Sequence, residues 1–203
     1  AISENNLNFL KKLNIFKSIK KEVWPCSIMK LYTEIKNEKF SEIFELNNDN
    51  KQKKILYMLE NSKITKLMFN KIKQIKSISI INHKSISAIN NSGLLKSVKT
   101  KNNNSKYNLI IICTGNNSTL VKNLFNDQTI ESSYKETSIT TILKHSIFKN
   151  NTVRQIFLDN EILALLPISN TRTSIVWSIK KEIKKNNLFV KNKIKFYTKN
   201  YLQ

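Results

Sequence analysis

A short polar segment that follows an apolar stretch holds the residues best suited to bind a ligand. It reads Cys113-Thr114-Gly115-Asn116-Asn117-Ser118 and comes directly after the apolar run Tyr107 to Ile112. A strand that ends in a glycine turn and leads toward a helix exposes backbone N–H groups that a phosphate or a ribose can approach closely. The same residues would also suit an ordinary turn, because Gly and Asn tolerate unusual backbone angles. Residue types and spacing leave both interpretations open.

Asn61 is a second candidate position, because it lies just ahead of a predicted helix. The helix is predicted over Ser62 to Gln74, where apolar residues recur at helical spacing. Asn61 or Ser62 is predicted to cap it, since both side chains accept hydrogen bonds from free backbone amides. A cap and a ligand contact are compatible roles for Asn61.

Other side chains give no pattern typical of catalysis or of metal binding. His83 and His145 are the two histidines, and neither has a carboxylate or a cysteine at ligand spacing. Cys26 and Cys113 both lie in apolar surroundings and are predicted to be buried free thiols in a reducing compartment. We therefore expect no metal site and no catalytic side chain, as in proteins whose cofactor carries the chemistry.

The formal net charge of +21 on 203 residues first suggests a nucleic-acid partner. Base recognition, however, relies on the planar guanidinium of arginine, and Arg154 and Arg172 are the two arginines among 35 basic residues. The lysines are spread along the whole chain among Asn and Ile. This distribution indicates a general compositional bias, and no nucleic-acid partner is predicted.

The chain shows no signal for membrane insertion or secretion. No run reaches the roughly 18 apolar residues that a membrane span needs, and AISENNLNFL at the start lacks the layout of a signal peptide. A cytoplasmic location is predicted. Gly93 and Gly115 are the two glycines, so the chain holds no GxGxxG fingerprint, and its abrupt start at Ala1 predicts that it begins inside a longer protein.

Alternating helix and strand patterns, followed by a series of strands, predict a mixed α/β architecture with a second sheet layered in. The run Tyr107 to Cys113 is predicted to be a strand buried on both faces, and Lys99 to Lys106 a solvated loop. In chain order, the predicted elements are a helix over Glu4 to Lys20; strands over Ser27 to Ile35, Lys39 to Leu46 and Lys54 to Leu59; the helix Ser62 to Gln74; strands over Ser77 to Ile81, Ser85 to Asn90, Leu94 to Lys99 and Tyr107 to Cys113; strands over Thr137 to His145, Thr152 to Phe157, Ile162 to Ile168 and Thr173 to Ser178; and a helical tail over Ile179 to Gln203.

The last two of these strands flank the polar turn Ser169 to Arg172 and predict a hairpin. Leu165-Leu166-Pro167-Ile168 before the turn and Ser174-Ile175-Val176-Trp177-Ser178 after it resemble the substrate-domain hairpin of one enzyme family. This family is the flavin-dependent hydroxylases of ubiquinone biosynthesis, relatives of para-hydroxybenzoate hydroxylase.

The segment around Gly115 resembles the Asp-Gly motif of the same family, Asp-Gly-x-Asn-Ser-x-Val-Arg-Lys. The matching residues are Gly115, Asn117, Ser118 and Lys122. Thr114 stands where the family has the Asp of the flavin site, and Val121 stands where it has an Arg associated with the nicotinamide cofactor. The resemblance implies a cofactor-binding set, to which Asn61 is added because the family places a flavin-contacting polar side chain ahead of the equivalent helix. The set is Asn61, Thr114, Gly115, Asn117, Ser118 and Lys122.

The resemblance implies a para-hydroxybenzoate hydroxylase-like fold of which this chain covers about the middle half. Residues 1–23 and 54–125 would form part of an FAD/NAD(P)-binding domain, and residues 24–53 and 126–203 part of a β-sheet substrate-binding domain. The Gly-rich dinucleotide fingerprint would precede Ala1.

The implied activity is that of an FAD-dependent monooxygenase, which uses NAD(P)H and dioxygen to hydroxylate a polyprenylated phenol in ubiquinone biosynthesis. The fragment alone is expected to be inactive. The family would allow a peripheral contact with the inner membrane and an association with other ubiquinone-biosynthesis proteins. The departures at Thr114 and Val121 keep an alternative open, namely a non-catalytic or decayed flavoprotein-like basic binding module.

Overall fold

The computed structural model describes residues 1–35, 39–47, 54–82, 85–115, 118–125, 132–180, 192 and 194–196. The chain divides into two compact units, a first unit of Ala1–Gln74 with Tyr134–Gln203 and a second unit of Ile75–Ser133. The assignment of residues to an FAD-binding and a substrate-binding domain concerns roles and stays a prediction. The helical tail over Ile179 to Gln203 lies almost entirely outside the described residues, and so does His83.

Three helices of the first unit lie entirely within the described residues: α1 (Glu4–Lys12), α2 (Phe16–Ile19) and α3 (Asn61–Lys73). The single predicted helix Glu4 to Lys20 is wrong, because Asn14 has a φ of 55° and breaks it into α1 and α2. Left-handed backbone of this kind cannot continue a right-handed helix. The side chains of Leu10, Ile15 and Ile19 are buried between the helices, and Ile64 and Leu67 of α3 pack against them.

The predicted helix at α3 is confirmed, but its predicted cap is wrong. Glu60 is the N-cap residue, and its side chain makes no capping hydrogen bond, whereas Asn61 is already the first helical residue. Among the described helices, none is both long and apolar enough to cross a membrane.

A six-stranded sheet forms the centre of the first unit, with strand order β3-β2-β9-β10-β11-β8. Neighbouring strands are antiparallel except for the parallel pair β2 and β9. Its strands are β2 (Ile28–Ile35), β3 (Lys39–Asn47), β8 (Glu136–Lys144), β9 (Thr152–Leu158), β10 (Glu161–Ser169) and β11 (Arg172–Lys180). The strands predicted in these six places are confirmed, and so is the hairpin β10–β11, whose two-residue turn is Asn170-Thr171.

One face of this sheet is the main core of the protein. Strand side chains alternate between faces, and the core face of β10 and β11 carries Leu163, Leu165, Ile175 and Trp177, each at most 1% exposed. The buried indole Nε1 of Trp177 donates to Glu161 Oε2 at 3.1 Å, so this buried carboxylate has a donor. The opposite face of the same two strands is half-buried along its length.

A two-stranded ribbon of β1 (Trp24–Cys26) and β4 (Leu56–Met58) completes the first unit. Cys26 and Met58 are buried there with Val153 of β9. Tyr57 of β4 pairs with Ile2 through two backbone hydrogen bonds, and its hydroxyl donates to Glu4 Oε2 at 2.7 Å. The start of α1 is therefore held on this ribbon.

Tyr57→Phe is expected to lower the free energy of unfolding by about 1 kcal/mol at neutral pH, because it removes a half-buried hydrogen bond to a carboxylate. Burial and the Glu4 carboxylate raise the pKa of Tyr57 from 10.0 to about 12. A raised folded-state pKa means that the contribution is complete below pH 10.0 and is lost as the pH rises toward 12. Chemical denaturation of both proteins from pH 8 to 12 checks this, and a constant difference across that range would contradict it.

The second unit holds a three-stranded antiparallel meander, β5 (Ile86–Ser92), β6 (Leu95–Thr100) and β7 (Asn103–Tyr107), and the short helix α4 (Thr119–Phe125). The strands predicted at Ser85 to Asn90 and Leu94 to Lys99 are confirmed. The loop predicted over Lys99 to Lys106 is wrong, since its second half is β7. The polar residues of β7 form a strand because β6 satisfies their backbone groups.

Two other predicted strands of the second unit are wrong. Residues 77–81 form no strand, and the apolar run Tyr107 to Cys113 leaves the meander after Tyr107 and has no ladder partner in the described residues. Leu109 and Ile111 are 75% and 77% exposed, in contrast to the predicted burial on both faces. A continuous apolar run signals a buried strand only where neighbouring strands supply the ladder on both sides.

Candidate functional site

The predicted ligand-binding turn is a real turn, and it leads into α4. Gly115 has a φ of 79°, and its carbonyl accepts a hydrogen bond from the backbone amide of Ser118 at 3.4 Å. The Ser118 carbonyl in turn accepts from the Lys122 amide at 3.0 Å, one helical turn later. Thr114 and Lys122 are exposed, whereas Ser118 is half-buried. The structure thus places Thr114 and Gly115 close to Ser118, and Ser118 and Lys122 at the start of α4.

The described residues leave space beside the backbone at Gly115. Apart from its chain neighbours, none of them has a heavy atom within 4 Å of a Cβ atom built on Gly115. A ligand can therefore come as close to this backbone as glycine permits. Asn117, the remaining predicted residue of the turn, lies outside the described residues.

A cavity of about 600 Å³ lies beside this segment, within the second unit. Ile110 and Ile112, which lead into the turn, line one side, and Leu124 and Phe125 of α4 line another. Amide and ammonium groups are supplied by Asn90, Asn91 and Lys96, of which Lys96 Nζ donates to Asn91 Oδ1. Ile89 of β5 and Asn108 also line the cavity, so its wall is mixed, with more apolar than polar side chains.

Asn61 belongs to the first unit, where it is an exposed first residue of α3. Its backbone carbonyl accepts from Thr65 Oγ1 at 2.9 Å, and its neighbour Glu60 forms an ion pair with Arg172. The side chain of Asn61 is therefore not needed for capping. Within the described ranges, no three His, Cys, Asp or Glu side chains converge where they could hold a metal ion.

The half-buried face of the six-stranded sheet is a further candidate surface that the sequence analysis did not resolve into residues. Gln155, Ala164 and Val176 are cross-strand partners on β9, β10 and β11, so they form one row across this face. Phe157, Ile162 and Ser178 form the next row. The sequence holds a signal for this surface. Both sets of alternating residues in β10 are largely apolar, which predicts that both faces of the strand are covered.

The two cysteines differ from each other, so the prediction that both are buried is half wrong. Both are free thiols, but Cys26 is buried and Cys113, next to the turn, is exposed. Burial raises the pKa of the Cys26 thiol to about 12, which keeps it protonated and unreactive near neutral pH. Cys113 is exposed because the segment that carries it is not the buried strand that was predicted.

A disulfide reagent at pH 8 is therefore expected to label one thiol quickly in the folded chain and the second only after denaturation. Peptide mapping should place the fast thiol at Cys113, and Cys113→Ser should abolish the fast phase. Cys26→Ser is the matched control and should leave the fast phase unchanged. Rapid labelling of Cys26 in the folded chain would contradict the structure.

Comparison with known proteins agrees with this architecture. No family model matches the chain. It is 24% identical over 205 aligned residues to the mitochondrial ubiquinone biosynthesis monooxygenase COQ6 of Dictyostelium discoideum, covering 88% of this chain and 41% of that protein. It also superimposes on PqsL of Pseudomonas aeruginosa in complex with 2-aminobenzoylacetate, with a TM-score of 0.76 and 10% identity over 89% of this chain and 50% of PqsL.

PqsL is described as a probable FAD-dependent monooxygenase. HpxO of Klebsiella pneumoniae, complexed with FAD and uric acid, gives a TM-score of 0.69 at 9% identity over 97% of this chain and 51% of HpxO. The chain has the fold of the FAD-dependent monooxygenases. The predicted mixed α/β fold class is confirmed, and so is the resemblance to the flavin-dependent hydroxylases of ubiquinone biosynthesis.

The monooxygenase fold is present only in part. The chain spans 41% of the length of its curated relative and about half of the length of PqsL and HpxO.

Proposed function

We propose that this chain is part of an FAD-dependent monooxygenase that hydroxylates a polyprenylated phenol in ubiquinone biosynthesis, with NAD(P)H as reductant and dioxygen as oxidant. The observation that carries the proposal is the similarity to the ubiquinone biosynthesis monooxygenase over 88% of the chain. The monooxygenase fold, reached at TM-scores of 0.69 to 0.76 with PqsL and HpxO, supports it independently.

The residues of the Gly115 turn fit an anionic dinucleotide such as FAD. The turn offers an open backbone at Gly115, the hydroxyl groups of Thr114 and Ser118, and the ammonium group of Lys122, which suit phosphate and ribose oxygens. In the second unit, the proposed contacts are Thr114, Gly115, Asn117, Ser118 and Lys122. In the first unit, the proposed contact is Asn61.

FAD, when bound, supplies the redox chemistry by which an oxygen atom from dioxygen reaches an aromatic ring. The chain itself contributes positioning and exclusion of water. We assign the half-buried sheet face to the substrate, because Ala164 and Val176, which are cross-strand partners on this face, have small apolar side chains. Gln155 in the same row carries an amide that can donate to or accept from a phenol hydroxyl.

The experiment that tests this function uses the purified full-length protein with a short-chain polyprenylphenol, dioxygen, and either NADH or NADPH. Reductant consumption coupled to a product heavier by one oxygen atom is expected, and the more effective nicotinamide identifies the reductant. Consumption of reductant without any oxygenated product, across phenols of different prenyl length, would contradict the proposed substrate class.

A second candidate function is a non-catalytic or decayed flavoprotein-like basic binding module. Thr114 and Val121 favour it, since they replace the Asp and the Arg of the family motif, two of its three charged residues. Restoring them with Thr114→Asp and Val121→Arg separates the two candidates. If the protein is a functional enzyme, the restored variant should differ from wild type in its NAD(P)H-dependent activity. If it is a module without a cofactor, the restored variant should gain no activity.

A further inference from the structure

A chain of charged side chains joins the hairpin β10–β11 to the start of α3, all within the first unit. Arg172 Nη2 lies 3.2 Å from Glu60 Oε1, and Lys63 Nζ lies 3.8 Å from the same oxygen. Lys63 also pairs with Glu22, which follows α2. The Glu60 carboxylate is therefore held between an arginine of the sheet and a lysine of its own helix.

The buried side-chain amide of Asn150 forms a hydrogen bond to the backbone of Arg172. Asn150, 1% exposed, donates from Nδ2 to the Arg172 carbonyl at 3.3 Å, to the Ser169 carbonyl at 2.9 Å and to Thr173 Oγ1 at 2.9 Å. These bonds tie both sides of the hairpin turn to one side chain. The guanidinium of Arg172 is thus presented from a rigid end of the sheet.

Glu60 is the residue through which Arg172 reaches the helix. It is the N-cap of α3, and its carbonyl accepts from the amides of Lys63 and Ile64 at 3.1 and 3.3 Å. Its side chain caps nothing and points to Arg172 instead. The position of Glu60 sets the position of the next residue, Asn61.

We propose that Arg172 is a positioning residue, which fixes the start of α3 and with it Asn61 relative to the half-buried sheet face through Glu60. The proposal rests on the proposed function, because Asn61 matters as a contact to the cofactor. Arg172 itself touches neither cofactor nor substrate in this proposal. Its guanidinium pairs with the Glu60 carboxylate and holds this N-cap residue in place.

The first test needs no cofactor and uses hydrogen exchange of the full-length protein. In Arg172→Gln, and equally in Glu60→Gln, the amides of Lys63 and Ile64 are expected to exchange about three to five times faster, the factor that a half-exposed ion pair can supply. The double variant should exchange no faster than either single variant, and Arg172→Lys should stay within about twofold of wild type. Arg154→Gln, at the other arginine, is the matched control.

The second test measures the FAD dissociation constant of the same variants by flavin fluorescence. FAD binding is expected to weaken by about three- to fivefold in each single variant and by no more in the double variant. Unchanged exchange and unchanged affinity in the single variants would overturn the positioning role, as would additive effects in the double variant. If wild type takes up no FAD, the proposed function fails. Hydrogen exchange then still reports separately on the Arg172–Glu60 link, because faster exchange in the single variants supports it and unchanged exchange overturns it.

Discussion

Trp177→Ala is expected to lower the free energy of unfolding by about 3 to 5 kcal/mol, the usual cost of emptying a large aromatic site in a core. The indole is fully buried among Leu163, Leu165 and Ile175, and it donates to Glu161. Its removal leaves a cavity at the centre of the sheet and deprives a buried carboxylate of one donor. Denaturation in urea, followed by circular dichroism, measures the change.

Val176→Ala is the matched control for this prediction, because Val176 is the preceding residue on the same strand and points to the half-buried face. We expect it to cost about 1 kcal/mol or less, since fewer methyl groups are removed from a site that is not fully packed. Equal losses of unfolding free energy in the two variants would show that both faces of the sheet are packed equally tightly. That result would also weaken the assignment of the half-buried face to the substrate.

Gly115→Ala is expected to weaken FAD binding by about tenfold or more, equivalent to about 1.4 kcal/mol. The added Cβ would occupy the open space from which a cofactor approaches the backbone. The variant should also lose about 1 to 2 kcal/mol of stability, because a φ of 79° is strained for any residue with a side chain. Titration of the variant with FAD, followed by flavin fluorescence, measures the affinity.

Gly93→Ala separates these two effects. Gly93 has a φ of 63°, and a Cβ there would likewise meet nothing within 4 Å, but it lies in the turn between β5 and β6. We expect the same loss of stability with no change in FAD affinity. If both variants bound FAD equally well, or lost it equally, the Gly115 turn would not be the cofactor site.

The sheet of the first unit could be predicted from sequence because its strands carry local signals. Each of its strands combines β-branched or apolar residues with a polar break, and the Ser169 to Arg172 turn fixes the register of the hairpin. A one-residue slip would move Trp177 and Leu165 out of the core, so burial selects one register. Local pattern and tertiary packing agree there.

Elsewhere local pattern and tertiary packing conflict, and the sequence analysis was wrong. Asn14 separates α1 from α2, although the helical spacing of apolar residues continues across it. The polar residues of β7 pair with β6, while the apolar residues 109–113 find no ladder in the described part of the chain. Strand formation depends on a partner at the right distance, which composition does not encode.

The left-handed backbone at Gly115 could be predicted from sequence, whereas its role in binding a cofactor stays a prediction. The glycine turn was correctly placed, because a glycine after an apolar run favours a left-handed residue. The exposure of Cys113 and the N-cap role of Glu60 were not predicted, because each depends on neighbours distant in sequence. The link between Glu60 and Arg172 joins residues 112 positions apart, and no local pattern indicates it.

The measurement that tests the account most directly is the visible absorption spectrum of the full-length protein, purified without added cofactor and again after incubation with FAD. We expect a flavin spectrum that stays with the protein through gel filtration, at close to one FAD per chain, and that is weakened by Gly115→Ala but not by Gly93→Ala. A folded protein that stays colourless after incubation with excess FAD would contradict it.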